Sequence, residues 1–186
     1  MNKLKTTVSV LALAAWPALA LAHPQGGGAH THGFFDGFAH PFTGLDHLLA
    51  MLAVGIWSAR QDQGRALPLA FLGAMLLGVL SGVAGVIIPG LETGIALTVA
   101  VMGCLIAVAA RLPAPAGMAM VAGFALLHGN AHGHELPQAS SAFGLLLASA
   151  SLIAAGRMAA RVSPALMVKL SGAAIAAAGV LLVATA

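Results

Sequence analysis

Two short stretches hold most of the side chains in this chain that can do chemistry. The first is His40-Pro41-Phe42-Thr43-Gly44-Leu45-Asp46-His47; the second is His128-Gly129-Asn130-Ala131-His132-Gly133-His134-Glu135. Their donors are imidazole and carboxylate, and neither stretch contains Cys or Met. That donor set suits borderline divalent ions such as nickel, cobalt or zinc, and disfavours copper(I), magnesium and calcium. A lone histidine near a helix end is ordinarily explained by one hydrogen bond. Two clusters that meet at one depth of a bundle call for a guest cation.

Spacing sets what they can build. On a helix, His128, His132 and Glu135 fall at i, i+4 and i+7 and share one stripe, from which His134 points away. His40 and His47 are seven residues apart, about 10 Å along a regular helix. Antiparallel packing of the two stretches sets His47 beside His128 at a deeper level and His40 near Glu135 at a shallower one, with Asp46 able to join the deep level. Metal–nitrogen bonds are only about 2 Å long, so regular helices imply successive sites or a ladder. A break at Pro41 or Gly44 would instead bring His40 inward, and both arrangements stay open. The candidate metal donors are therefore His40, Asp46, His47, His128, His132 and Glu135, with Asn130 and Thr43 as secondary oxygen contacts. Accessory candidates are His23, His30 and His32 in a Gly-rich leader, Asp36, which can cap the first helix or attract cations, and Glu92, favoured by a helix dipole at the start of the third helix.

The elements that must position these groups are membrane helices. Of 186 residues, 60% are hydrophobic and only 7% charged, and the mean hydropathy is +0.98, far from soluble domains. A net charge of +3 on so few charged groups gives no reason to invoke nucleic acid. Residues 1–22 read as a cleavable signal peptide, with Lys3 and Lys5, a short apolar run, and Ala20 and Ala22 before a cut that leaves His23 first. Residues 23–35 form the His/Gly-rich leader. Residues 36–186 form an all-α, polytopic bundle of six transmembrane helices near 36–58, 67–89, 92–110, 114–135, 140–159 and 164–185. The basic residues Arg60, Arg65, Arg111, Arg157, Arg161 and Lys169 fall in alternate connections, which are therefore cytoplasmic, and both mature termini face the periplasm. The connections are short, so sequential helices are expected to pack as antiparallel neighbours. Gly78 and Gly82 form a GxxxG packing surface, and Trp57 reads as an interfacial anchor.

At these residues the chain resembles the HupE/UreJ family of nickel and cobalt permeases associated with hydrogenase and urease. That family carries HPxxGxDH in its first mature helix and FHGxAHGxE in its fourth. Residues 40–47 match the first pattern in full; residues 128–135 match the second, with Leu127 where the family has Phe. The resemblance implies metal uptake at a bacterial inner (plasma) membrane through His40, Asp46, His47, His128, His132 and Glu135. It implies Ni2+ or Co2+ as cargo, with Zn2+ also compatible, no prosthetic group, and a functional link to hydrogenase or urease maturation. No GxxxxGK[ST] motif is present, so transport is expected to be passive or gradient-coupled. Two other functions fit the donors: an intramembrane zinc-dependent hydrolase in which three histidines hold the metal and Asp46 or Glu135 activates water, and a metal sensor or chaperone subunit that binds without transporting.

Overall fold

The computed structural model describes residues 33–62 and 64–186. The expected signal peptide and the leader histidines His23, His30 and His32 lie outside the described residues. Among those described there are seven α-helices and no strand: α1 Phe34–Thr43, α2 Leu45–Ser58, α3 Ala66–Val83, α4 Leu91–Ala107, α5 Ala114–Glu135, α6 Ala139–Val162 and α7 Ala165–Thr185. Proline sets two of the starts. Pro115 opens α5 and Pro164 precedes α7, positions where a missing N–H costs a helix nothing.

Three helices, α3, α6 and α7, are long and apolar enough to cross a membrane; α2 and α4 are shorter apolar helices. With 22 residues, α5 spans about 33 Å at 1.5 Å per residue, but its last two turns carry the polar motif. Leu69 and Leu77 on α3 and Leu166 and Leu181 on α7 are each 61–71% exposed. Apolar side chains on the outer faces of helices that are apolar all round mark a surface made for lipid.

The first expected span, 36–58, is not one helix. It breaks at Gly44, which is extended (φ −91°, ψ 119°) between α1 and α2. Pro41 lies inside α1 and cannot donate to the carbonyl one turn back, which weakens the helix just before the break.

Packing also departs from the expected order. The extensive contacts pair α3 with α5, α4 with α7, and α6 with both α1 and α2; helices joined by short connections are not the main partners. Lipid tails are as apolar as leucine, so close packing in a bilayer follows the faces whose small residues let backbones approach. Those faces lie on helices distant in sequence. A methyl group on Gly129 would overlap the Met75 carbonyl, and one on Gly133 the Val79 carbonyl; Gly78 and Gly82 face them from α3. Gly55 on α2 meets α6 in the same way, as Gly103 on α4 meets α7.

Trp57 is not at the surface. It is 2% exposed, and its indole N–H donates to the Ala110 carbonyl at 3.1 Å. That carbonyl is available because α4 is followed by a left-handed residue, Ala109 (φ 53°), after which the Ala110 N–H closes back on Leu105. Below the polar motifs the bundle centre is filled by Met51, Val54, Phe71, Met75 and Val121, all 0–1% exposed.

Candidate metal centre

The break at Gly44 shapes one wall of the site. As α1 ends, the Thr43 hydroxyl donates to the His40 carbonyl at 2.8 Å. As α2 begins, Asp46 stands in its first turn, where the helix dipole favours a carboxylate. Its Oδ1 accepts the His47 backbone N–H at 2.8 Å and lies 2.7 Å from His47 Nδ1. An ionised carboxylate only accepts, so Nδ1 carries the proton, and in the neutral ring Nε2 carries the free lone pair. That Nε2 is buried without a hydrogen-bond partner. Gly44 makes room for the arrangement: a Cβ there would lie 2.9 Å from Asp46 Oδ1 and 3.0 Å from His47 Nδ1.

The facing wall is the last two turns of α5. Gly129 and Gly133 pack this helix on α3, while His128 and His132 are both 0% exposed. His128 Nδ1 lies 2.9 Å from the Phe124 carbonyl, which again can only accept, so its Nε2 presents a lone pair with no partner. Neither ring nitrogen of His132 is hydrogen-bonded; its Nδ1 is 3.9 Å from Glu135 Oε2. Asn130 holds the helix in place from behind, its amide donating to Ser81 Oγ at 2.9 Å and to the Val86 carbonyl at 3.0 Å. His134, on the outer side, reaches the same carbonyl at 3.0 Å.

The two walls meet through side chains. His40 Nε2 is 2.9 Å from Glu135 Oε2, and the His47 and His128 ring centroids are 5.3 Å apart. His132 sits between the levels, 4.9 Å from the His40 ring and 4.4 Å from the His47 ring. With the break at Gly44, the His40 and His47 rings are themselves only 5.9 Å apart, well short of the roughly 10 Å axial offset of a regular helix. Asp46 lies behind His47. Asp36 accepts the Gly33 N–H at 2.9 Å at the start of α1, and Glu92 is exposed in the first turn of α4; neither touches the histidine cluster.

One donor atom from each of His40, His132 and Glu135 falls within a 4.8 Å group. With metal–ligand bonds of about 2.1 Å, ligands around one ion sit roughly 3.4–4.2 Å apart, so a rotation of exposed side chains closes the group. Glu135 and His40 can supply it, their side chains being 50% and 29% exposed. The cluster thus grades from an open carboxylate to fully enclosed imidazoles. Gly44, which makes room for Asp46 and His47, and Gly129 and Gly133, which seat α5 on α3, were missed as site-forming residues, although the i, i+4 spacing of Gly129 and Gly133, like that of Gly78 and Gly82, is visible in the sequence.

An all-helical membrane protein with imidazoles and a carboxylate converging at one end of its bundle is the class defined by this fold and site. The chain belongs to the HupE/UreJ family. The family profile, described as "HupE / UreJ protein", matches residues 11–182. The chain is also similar to "Protein HupE" of Rhizobium leguminosarum bv. viciae, with 44% identity over 146 residues, 77% of this chain and 73% of that protein. No solved structure matches it.

Proposed function

We propose that this chain is a permease that carries a divalent transition metal, nickel or cobalt, across a bacterial inner membrane through six spans, with the histidine cluster facing the periplasm. Membership of a transporter and accessory family supports this reading. So does the basic end of the bundle, where Arg60, Arg111, Arg157 and Lys169 lie opposite the histidines, as cytoplasmic ends do.

The observation that carries the proposal is the set of partnerless imidazole nitrogens. His47 Nε2, His128 Nε2 and both nitrogens of His132 are buried with no hydrogen bond, and leaving such groups unmet costs about 1–3 kcal/mol each. Neutral imidazole nitrogens with free lone pairs are ready-made ligands for a borderline cation. The cation is captured by Glu135 and His40, passes to His132, and moves down to His47 and His128. Asp46 acts from behind, fixing the His47 tautomer and ring angle as a carboxylate partner does for a metal-ligating histidine. Met51, Phe71 and Met75 close the way below, so inward release requires the α3–α5 pair to shift against α2 and α6.

Uptake of radiolabelled nickel and cobalt into proteoliposomes tests it. The expected result is entry that disappears with His132→Ala at equal protein incorporation. Tight binding without entry would make the chain a metal-binding accessory subunit, and neither binding nor entry would refute the proposal.

A further inference from the structure

A cavity of about 170 Å³ lies at the end of the bundle opposite the histidine cluster. Part of its wall is apolar: Ile56 near the end of α2, Leu105 near the end of α4 and Val168 in the first turn of α7. Its rim is cationic, formed by Arg60, Arg111 and Lys169. Arg60 spends one of its nitrogens on the Ala160 and Ser163 carbonyls, at 2.7 and 3.3 Å, and its other donors have no partner among the described residues. Arg111 faces a single carboxylate, Asp62, at 3.4 Å, with both side chains largely exposed. Lys169 is exposed and has no partner among the described residues. Three cations against one loosely held carboxylate leave an excess of positive charge over an apolar slot at a helix-end level.

We infer that this cavity binds the headgroup of an anionic phospholipid, its phosphodiester held by Arg60, Arg111 and Lys169 and its acyl chain lying along Ile56, Leu105 and Val168. Basic pockets between helix ends are suited to such headgroups, and the charge excess selects an anionic over a zwitterionic lipid. The three cations come from α2's end, the α4–α5 connection and α7. These belong to different tightly packed pairs, so one bound lipid staples the α4–α7 pair to α2. The histidine cluster takes no part, and the inference stands independently of the metal.

The test is thermal unfolding of the purified full-length protein in zwitterionic detergent, with added phosphatidylglycerol, phosphatidylcholine or inorganic phosphate. Phosphatidylglycerol is expected to raise the midpoint by about 5 °C, as saturating binding to the folded state does for a chain of this size, and phosphatidylcholine to leave it unchanged. The Arg111→Gln/Lys169→Gln variant should lose most of that rise. Arg65→Gln/Arg161→Gln, which removes equal charge from the same end without touching the cavity, should keep it. Native mass spectrometry should count one retained phosphatidylglycerol, lost only in the first variant, and this reads binding even if a variant's baseline midpoint moves. No rise in the unaltered protein, an equal loss in both variants, or the same rise with inorganic phosphate alone would each overturn the inference.

Discussion

The two ends of the bundle treat their polar groups in opposite ways. At the arginine end the buried or half-buried donors are spent on protein acceptors: Arg157 donates to Ser58 Oγ at 3.0 Å and to the Gly64 carbonyl, while Trp57 and Gln61 both donate to the Ala110 carbonyl. At the histidine end the polar groups are held in place on one side and left unmet on the other. All the buried side-chain nitrogens and oxygens lacking a hydrogen bond among the described residues belong to His47, His128, His132 and Asn130. Native proteins rarely leave buried polar atoms unmatched, and those that do so commonly have a use for them. The arginine end spends the bonding capacity of its buried groups within the protein; the histidine end leaves part of its own unused.

That contrast breaks if removing a histidine harms the fold as removing an arginine does. His132→Leu, close in size and apolar, should cost at least about 100-fold in nickel affinity, beyond the 10–100-fold typical of a ligand's supporting partner. It should leave the thermal midpoint of the metal-free protein unchanged or raised, because no protein hydrogen bond is lost. Titration calorimetry and thermal unfolding of one preparation read both.

Asp46→Asn sharpens the account of how the histidines are held. The amide can present an N–H where His47 needs an acceptor, so the ring loses its fixed tautomer, and affinity should fall by about 10–100-fold with helical content unchanged by circular dichroism. Arg157→Ala provides the opposite arm. It takes away the donor to the buried Gly64 carbonyl and to Ser58 Oγ, whose own O–H stays on Gly55, and should cost about 1–3 kcal/mol of stability, read as a lower denaturation midpoint, while nickel affinity stays as it was. The smallest effect is expected at Gly44→Ala. The added methyl presses on Asp46 and His47 at 2.9 and 3.0 Å, contacts that flexible side chains relieve by small rotations, so affinity should drop only several-fold in the same titration.

What the chain wrote plainly was chemistry and depth. Imidazoles and carboxylates are costly in a bilayer, so their clustering at 40–47 and 128–135 was conspicuous, and the alternating Arg and Lys residues separated one end of the bundle from the other. The interruption at Gly44 was legible only as one of two options, since a glycine after a proline can sit inside a helix or end it, and the choice depends on tertiary contacts such as the room Asp46 needs. Helix partnership was not legible. Short connections suggest neighbours, yet in lipid the small-residue faces decide, and a face such as Gly129/Gly133 was hidden inside a motif that read as metal chemistry alone. Trp57 beside Arg60 had the composition of an interfacial anchor, and nothing local indicated that Ala110, 53 residues on, would offer its carbonyl.

The central claim is that the partnerless imidazoles are ligands for a divalent cation. Nickel K-edge X-ray absorption on the purified protein, loaded with less than one equivalent of metal, addresses it most directly. The account predicts outer-shell scattering from imidazole rings that weakens in His132→Leu; a spectrum of water or carboxylate oxygen alone, identical in the variant, would contradict it.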